Sequence, residues 1–279
     1  MTYTAIIADI YKSRKLSKED RKRLQKLIKE VIDVLNCIFK PCLQFDVVFS
    51  AGDEVQGLFK SPWHAYLYFR LFRMILWPYH IKCGIGLGEW EVKIMGGTSS
   101  EQDGSAYHNA RNAISKAEKT NDVLFMSNTG YDLYINTLID TSSLLLKKQT
   151  TQQNNIYLLA ELLNPFFDEK RMSKRNYNKI FSIVEKRIEK AYNIYNGKNI
   201  LKGFFDFEPI NIFGREDVNE GLLFDKTLKK GLSTKISKVT NTSRQNIENI
   251  LKAGLIKQIR SIDAVVAILI KETFEGIKR

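Results

Sequence analysis

The 279-residue chain has few of the residues that build several common classes of protein. Its three cysteines are odd in number and show no zinc-ligand spacing, so the sequence predicts reduced thiols rather than a disulfide framework or a zinc fold. Its three histidines show no ligand spacing either. No apolar run approaches the roughly 20 residues of a membrane span, and residues 1–6 lack the features of a signal peptide. We therefore expect a cytoplasmic protein that does not enter the membrane.

Positive charge is in excess, at a formal +12, and much of it lies in one stretch. Residues 226–260 hold nine lysines and arginines and a single acid, Glu248. A clustered basic segment is the electrostatic footprint of a nucleic-acid-binding surface. A lysine-rich, solvated surface gives the same pattern, so charge leaves both interpretations open.

Residues 1–126 alternate strand-like and helix-like patterns. Short apolar runs bounded by turn residues predict strands, and apolar residues at helical spacing predict helices. The predicted strands are 3–9, 45–49, 55–59, 81–88 and 123–126, and the predicted helices are 17–38, 63–76 and 106–119. Residues 91–95 could extend the sheet. This order predicts an α/β (α+β) sheet with a central antiparallel hairpin.

Two aspartates lie at the edges of these strands. Asp9 ends the first strand, and Asp53 lies in the hairpin turn, directly before Glu54. If the strands are neighbours, the carboxylates meet at one edge, which suits Mg²⁺ (or Mn²⁺) bridging carboxylates to phosphates. Asp9 could instead cap the next turn, and Asp53 could simply favour the hairpin turn. Since successive strand residues point to opposite faces, only one of Asp53 and Glu54 should face Asp9, and we favour Asp53.

Three glycines alternate along the strand at 81–88: Gly84, Gly86 and Gly88. Their context is not the strand-turn-helix of a dinucleotide-binding motif. They favour close packing under a neighbouring helix. The alternative is room for a base or sugar against the strand backbone.

Four motifs resemble the palm-type catalytic domain of class III nucleotide cyclases and, more distantly, the GGDEF diguanylate cyclases. They are Ile7-Ala8-Asp9-Ile10, the Gly52-Asp53 turn, the strand at 82–89 that ends in Gly-Glu, and the helix start at 104–113. The resemblance implies a palm or ferredoxin-like, cyclase-type sheet in which Asp9 and Asp53 hold metal ions. It also implies a nucleoside triphosphate or cyclic nucleotide as ligand.

Within that set, the chain resembles the SatD family most closely. The shared features are Asp9-Ile10-x-x-Ser13-Arg14, the hairpin string at 52–58 and the helix string at 104–111. Their order and spacing fit residues 1–125, and the resemblance implies a bacterial cytoplasmic protein. The loop after Asp9 could hold phosphates through backbone N–H groups and Arg14. The expected nucleotide-binding residues are Ile10, Ser13, Arg14, Gly52, Glu54, Asn109 and Arg111.

The helix motif departs from the cyclase pattern by one residue at two positions. The catalytic Asn and Arg of the cyclases would fall at His108 and Asn112, whereas this chain has Asn109 and Arg111. One residue is about 100° of rotation on a helix, and the Arg normally stabilises charge on a transferred phosphoryl group. The departure argues against cyclase activity more than against nucleotide binding. Arg111 is either a phosphate ligand or a surface salt-bridge partner.

The composition changes near residue 165, and we divide the chain there into a cyclase-like domain, 1–165, and a linker, 166–218. The linker is predicted to contain a basic amphipathic helix at 172–195 and an irregular segment at 203–218. A C-terminal domain, 219–279, follows.

The C-terminal domain has the pattern of a helix-turn-helix. Two short helices, 232–239 and 244–252, flank a turn that ends at the N-cap Ser243, and their apolar residues have the spacing that buries such a corner. A helix at 261–274 could complete the core or form the seam of a homodimer. The pair could bind DNA or another protein. The expected DNA-binding residues are Lys235, Ser243, Arg244, Gln245, Asn246, Asn249 and Lys252.

These observations support three hypotheses. The first is a regulatory protein that couples a Mg²⁺-nucleotide-binding, cyclase-like domain to a DNA-binding helix-turn-helix. The second is an active nucleotidyl cyclase or nucleotidyltransferase with a two-metal carboxylate site. The third is a non-catalytic protein-interaction module.

Overall fold

The structure is a computed structural model, which describes residues 1–117, 123–166, 168, 172, 174–192, 207–213 and 226–275. The chain divides into two compact units. The first comprises Met1–Asp140, Arg171–Ser173 and Val266–Arg279, and the second comprises Thr141–Lys170 and Lys174–Val265. None of the described helices combines the length and the apolar character that crossing a bilayer requires.

A five-stranded mixed sheet forms the centre of the first unit. Its strands are β1 (Thr2–Ile10), β2 (Leu43–Ala51), β3 (Glu54–Phe59), β4 (Ile81–Glu89) and β5 (Val123–Met126), in the order β2-β3-β1-β4-β5. β1 runs antiparallel to both of its neighbours, β3 and β4, and β4 pairs with β5 in parallel. The predicted strands and the antiparallel hairpin are confirmed, but the hairpin lies at one edge of the sheet rather than at its centre. Because β1 is central, its C-terminal end lies between the first residues of β3 and β4.

The helix α3 (Ser105–Ala117) covers one face of this sheet. The glycines of β4 allow very close contact, since a Cβ added at Gly86 would lie 2.1 Å from the backbone nitrogen of Ala110. The helix backbone therefore occupies the space above the glycines, and their interpretation as packing residues is confirmed. This layer is completed by a small apolar cluster: Ala5, Ile7, Leu58, Ala106, Tyr107, Ala110 and Ile114.

Two further helices, α1 (Lys18–Phe39) and α2 (Pro62–Leu76), pack against the other face. The hydroxyl of Ser17 caps α1 by accepting the N–H of Asp20 at 3.1 Å. The apolar residues of α1 that recur at helical spacing are buried, and each stabilises the fold by roughly 1.5–3 kcal/mol. They are Leu24, Ile28, Val31, Ile32, Leu35 and Ile38.

Residues 91–95 form a loop rather than a strand. Val92 makes only an isolated bridge to Asp103. The buried side chain of Gln102 organises the loop, because its Oε1 accepts the indole N–H of Trp90 at 3.1 Å and the backbone N–H of Ile94 at 3.0 Å. The side-chain amide thus takes over hydrogen bonds that a neighbouring strand would otherwise supply.

Beyond the sheet, the described elements are mainly helical. They are α4 (Tyr131–Lys147), α5 (Thr151–Leu163), α6 (Lys174–Tyr177), α7 (Lys179–Tyr192), α8 (Leu232–Thr240), α9 (Arg244–Ala253) and α10 (Ile256–Phe274). The sequence analysis missed α4 and α5. Residues 154–163 of α5 are all buried. A capping box of Thr150 and Gln153 precedes this apolar run and was the signal that could have revealed α5.

The predicted linker is only partly described. Its helix is divided into α6 and α7 on either side of Asn178, and the apolar residues Ile180, Val184 and Ile188 are buried as expected. Residues 193–195 of that prediction, and most of the predicted irregular segment at 203–218, lie outside the described residues.

The short helices predicted near the C-terminus correspond to α8 and α9. The hydroxyl of Ser243 accepts the N–H of Asn246 at 3.2 Å and so caps α9. Of the apolar residues expected to bury the corner between the helices, Ile236, Val239, Ile247 and Ile250 are buried, whereas Leu251 is only half-buried.

Candidate functional site

Asp9 lies at the C-terminal end of β1, on the face of the sheet that α3 covers. Side chains alternate along a strand, and Ala5 and Ile7 of β1 pack against α3. The Oδ1 atom of Asp9 accepts the backbone N–H of Ile10 at 2.8 Å. The backbone N–H of Ile10, one of the expected nucleotide contacts, is therefore already hydrogen-bonded to Asp9.

The register of β1 puts charged residues on both sides of Asp9. On β4, Lys82 pairs directly with Asp9. On β3, Val55 pairs with Ala8, so that the next position in this antiparallel register brings Glu54 opposite Asp9. The side chains of such neighbours lie about 5 Å apart at Cβ.

The hairpin turn carries the second aspartate to this place. Gly52 has a φ of +64°, a conformation that glycine adopts without steric cost, and Asp53 follows it. Burial, and next the adjacent Asp53 carboxylate, raise the pKa of Asp9 from 3.8 to about 6. Glu54 makes a smaller contribution in the same direction. The structure thus places the carboxyl groups of Asp9 and Asp53 within interacting distance.

Asp9 and Asp53 are the residues of this site that could hold a metal ion. The Oδ2 atom of Asp53 is buried and has no hydrogen-bond partner among the described residues, which costs free energy until a ligand satisfies it. Mg²⁺ commonly uses one or two carboxylates and completes its shell with water and phosphate oxygens. No group of three or more His, Cys, Asp or Glu residues that could hold a metal occurs in the described part of the chain.

Glu54 lies on the same face of the sheet as Asp9 and is held by a residue of α3. Arg111 donates to both of its carboxylate oxygens, with the Nη2–Oε1 distance at 2.9 Å. The hydroxyl of Ser50 donates to the same Oε1 at 2.6 Å. Burial alone would raise the pKa of Glu54, but the hydrogen bonds from Arg111 and Ser50 outweigh it and hold that pKa below its usual value. Glu54 is therefore an ionised, fully engaged carboxylate.

The two expected ligand residues on α3 are both held by the protein itself. Arg111 is half exposed but committed to Glu54. The side-chain amide of Asn109 donates to the carbonyl oxygen of Leu87 at 2.8 Å and accepts from the side chain of Asn128 at 2.9 Å. His108 stands at one of the two cyclase offsets, and its Nε2 atom lies 3.4 Å from Oδ1 of Asp103.

The loop after β1 presents a group of cations. Lys12 has a left-handed backbone (φ 57°), Ser13 is buried, and Arg14 is exposed. The ammonium groups of Lys12 and Lys82 lie 4.5 and 4.6 Å from the ring centroid of Tyr11. A hydrogen bond with Lys12 lowers the pKa of Tyr11.

These cations form no ion pairs with the described residues. Among the described residues, no carboxylate lies within ion-pair distance of Lys12, Arg14, Lys15 or Lys82. The sequence analysis missed Tyr11 and Lys82. A charged residue at the start of a strand, such as Lys82, was a signal of a functional residue. That Lys82 belongs to this site, however, depends on its register with Asp9.

The expected DNA-binding residues lie on or beside α9. Six of them are exposed: Ser243, Arg244, Gln245, Asn246, Asn249 and Lys252. The guanidinium of Arg244 donates to Glu248, one turn later, at 2.7 Å. Lys235 of α8 differs, because it is only partly exposed and forms an ion pair with Glu208.

The comparisons with known proteins give one result. No curated protein and no solved structure matches the chain. The SatD family model matches residues 3–196, which include the whole sheet, the hairpin with Asp53 and the helix that carries Arg111. Since this match covers more than half of the sequence, the chain belongs to the SatD family.

Proposed function

We propose that the first unit binds a nucleoside triphosphate or cyclic nucleotide together with Mg²⁺ (or Mn²⁺) at the sheet edge that carries Asp9 and Asp53. The observation that carries the proposal is the adjacent carboxyl pair, in which Asp53 Oδ2 is buried without a partner. A divalent cation would relieve both the repulsion and the unsatisfied oxygen.

The cations of the loop after β1 would contact the phosphate groups of the nucleotide in such a site. A triphosphate carries several negative charges, and the metal neutralises only part of them. Lys12, Arg14 and Lys82 lie within or across from the end of β1 and lack carboxylate partners among the described residues, which leaves their charges available for phosphate oxygens. The buried hydroxyl of Ser13 lies between Lys12 and Arg14 in this loop.

Binding without turnover fits the site better than cyclase activity. Asn109 and Arg111 each lie one residue from the position of a catalytic residue of the cyclases, and both make hydrogen bonds within the protein. An oriented arginine is what stabilises developing phosphoryl charge, and here the guanidinium already has an anionic partner. An active nucleotidyltransferase remains the alternative, and incubation with labelled nucleoside triphosphates distinguishes the two by the formation of product.

A thermal shift experiment tests the nucleotide site. Wild-type protein is heated with each nucleoside triphosphate in the presence of Mg²⁺ and, separately, with EDTA. We expect a rise in Tm that needs both metal and nucleotide, because a ligand that binds only the folded state stabilises it. Asp53→Asn keeps the shape of the side chain and should lose most of this rise. An equal rise in both proteins contradicts the carboxylate-metal site.

We further propose that α8 and α9 act as a DNA-binding helix-turn-helix, so that the protein couples nucleotide binding to DNA binding. The supporting observation is the row of exposed polar residues at the start of α9, the position from which recognition helices contact base edges. Gln245 and Asn246 carry amide groups suited to adenine, and Lys252 can meet a phosphate.

Fluorescence anisotropy with labelled duplex DNA tests this second activity. The full chain should bind DNA at low salt and release it as salt rises. The double variant Gln245→Ala/Asn249→Ala should weaken binding, whereas its thermal stability should stay close to that of the wild type. Equal DNA affinity in the two proteins would favour the third hypothesis, a module that binds another protein.

A further inference from the structure

Three carboxylates converge at the end of β1, and one of them, Glu54, is paired with an arginine of α3. The antiparallel register puts Glu54 opposite Asp9, close enough for its carboxylate to reach a metal bound between Asp9 and Asp53. Both oxygens of Glu54 instead accept hydrogen bonds from Arg111 of α3, and one of them also accepts from the hydroxyl of Ser50. The third carboxylate is thus close to the proposed metal site, but its oxygens are already bound by other side chains.

We propose that Arg111 keeps Glu54 away from the metal, and that a phosphate group binding to Arg111 releases Glu54 to become the third carboxylate ligand. This inference rests on the proposed metal-nucleotide site. It assigns Arg111 and Glu54 a linked positioning role, in which phosphate and metal each favour the binding of the other.

The exchange is chemically balanced. The guanidinium fork of Arg111 binds phosphate and carboxylate with the same two-point geometry, so a phosphate can replace Glu54 without leaving the cation unpaired. The side chain of Arg111 is 49% exposed and that of Glu54 is 18% exposed, so a ligand can approach Arg111 from solvent. The released Glu54 would be an unpaired, partly buried carboxylate unless a cation met it.

Linkage makes the exchange measurable. If phosphate binding raises the affinity for metal, metal must raise the affinity for phosphate by the same factor. Breaking the Glu54–Arg111 pair by mutation should therefore raise the affinity for metal, as phosphate binding does. A variant that lacks the guanidinium should bind metal more tightly before any nucleotide is added.

The test is a titration of nucleotide-free protein with Mn²⁺, followed by the electron paramagnetic resonance signal of the free ion. The proteins are wild type, Arg111→Gln, Glu54→Gln and the double variant Arg111→Gln/Glu54→Gln. We expect Arg111→Gln to raise the affinity for Mn²⁺ about tenfold, the effect of one additional close carboxylate. In the Glu54→Gln background, the same change should raise it by less than about twofold, because no carboxylate is released.

Two further variants separate release of Glu54 from a simple loss of positive charge. Lys82→Gln removes one cation beside Asp9 but leaves the Glu54–Arg111 pair intact, so its gain should be clearly smaller than that of Arg111→Gln. Arg111→Lys keeps the charge but cannot hold both oxygens of Glu54 in a planar fork. It should therefore raise the affinity for Mn²⁺ several-fold, and it provides the test if Arg111→Gln does not fold.

The outcomes separate this inference from the function on which it rests. If Asp53→Asn abolishes Mn²⁺ binding but Arg111→Gln leaves the affinity unchanged, or raises it equally with and without Glu54, the exchange is wrong and the metal site stands. If the wild type binds no Mn²⁺, or Asp53→Asn binds as well as the wild type, the metal site and the exchange both fail.

Discussion

The carboxylate of Asp53 lies beside that of Asp9 and helps to raise the pKa of Asp9 to about 6. The folded protein therefore holds a proton on Asp9 more readily than the unfolded chain does. As pH rises from about 4 to about 6, the unfolded state gives up this proton first, and the free energy of unfolding decreases. Burial of Asp9, and next its closeness to the Asp53 carboxylate, are thus destabilising features at neutral pH, as is common for binding sites.

We predict that Asp53→Asn stabilises the metal-free protein at neutral pH. Loss of the repulsion should raise the free energy of unfolding by roughly 0.5–1 kcal/mol at pH 7.5, a small value because Asp9 remains partly exposed. The gain should shrink towards zero near pH 4, where Asp9 is protonated in the folded state and the repulsion is absent. Urea denaturation at the two pH values measures it. A variant that is less stable than the wild type at pH 7.5 would contradict the proximity of the two carboxylates.

We predict that Gly86→Ala strongly destabilises the first unit. The added Cβ would meet the nitrogen of Ala110 at 2.1 Å and the carbonyl oxygen of Ala106 at 2.4 Å, so α3 must move away from the sheet. Such overpacking costs about 1–3 kcal/mol or more, and denaturant unfolding measures it. Gly130→Ala is the matched control, because a Cβ there meets nothing within 4 Å. Equal stability of the two variants would be incompatible with the close contact of α3 and β4.

We predict that Asn109 stabilises the fold and does not hold the nucleotide. Asn109→Ala removes the bonds to Leu87 and Asn128 and should lower the free energy of unfolding by about 1–2 kcal/mol. The Mg²⁺-dependent affinity for nucleotide should change less than about threefold. Asn112→Ala, an exposed neighbour on the same helix, should change neither quantity. A large loss of nucleotide affinity at unchanged stability would instead restore Asn109 to the ligand site.

We predict that lysines near the helix pair differ in their contribution to DNA binding. Lys252 is exposed on α9, so Lys252→Gln should reduce the slope of log affinity against log salt by about one. Lys235→Gln should reduce it less, because Lys235 is already paired with Glu208. Lys22→Gln, an exposed lysine of α1, is the charge-matched control and should leave the slope unchanged. A similar effect of all three changes would indicate non-specific attraction by the net charge.

Much of the first unit could be predicted from local pattern. The apolar period of α1 and the turn chemistry around Gly52 both act over a few residues, and both were read correctly. The closeness of Asp9 and Asp53 could be predicted from the hairpin. Asp53 lies in the turn directly before β3, and in a small sheet β3 has few strands other than β1 with which to pair. The helices α4 and α5 were missed because their helical periodicity is weak. α5 is buried on all sides over residues 154–163, so its sequence lacks a polar face.

The orientation of Glu54 could not be predicted from sequence. Its position opposite Asp9 depends on a register that spans 45 residues of chain, and its rotamer depends on a contact with Arg111, 57 residues away. The local strand pattern is compatible with a Glu54 side chain that contacts Arg111 and equally with one that does not. Only the tertiary placement of α3 on the glycines of β4 brings the guanidinium to Glu54.

The most direct test of the metal-nucleotide site is anomalous diffraction from crystals grown with Mn²⁺ and a non-hydrolysable nucleoside triphosphate. A Mn²⁺ peak within bonding distance of the carboxylates of both Asp9 and Asp53, with a phosphate oxygen in its shell, is the predicted result. A triphosphate bound elsewhere, or well-ordered Asp9 and Asp53 side chains with no anomalous peak between them, would contradict it.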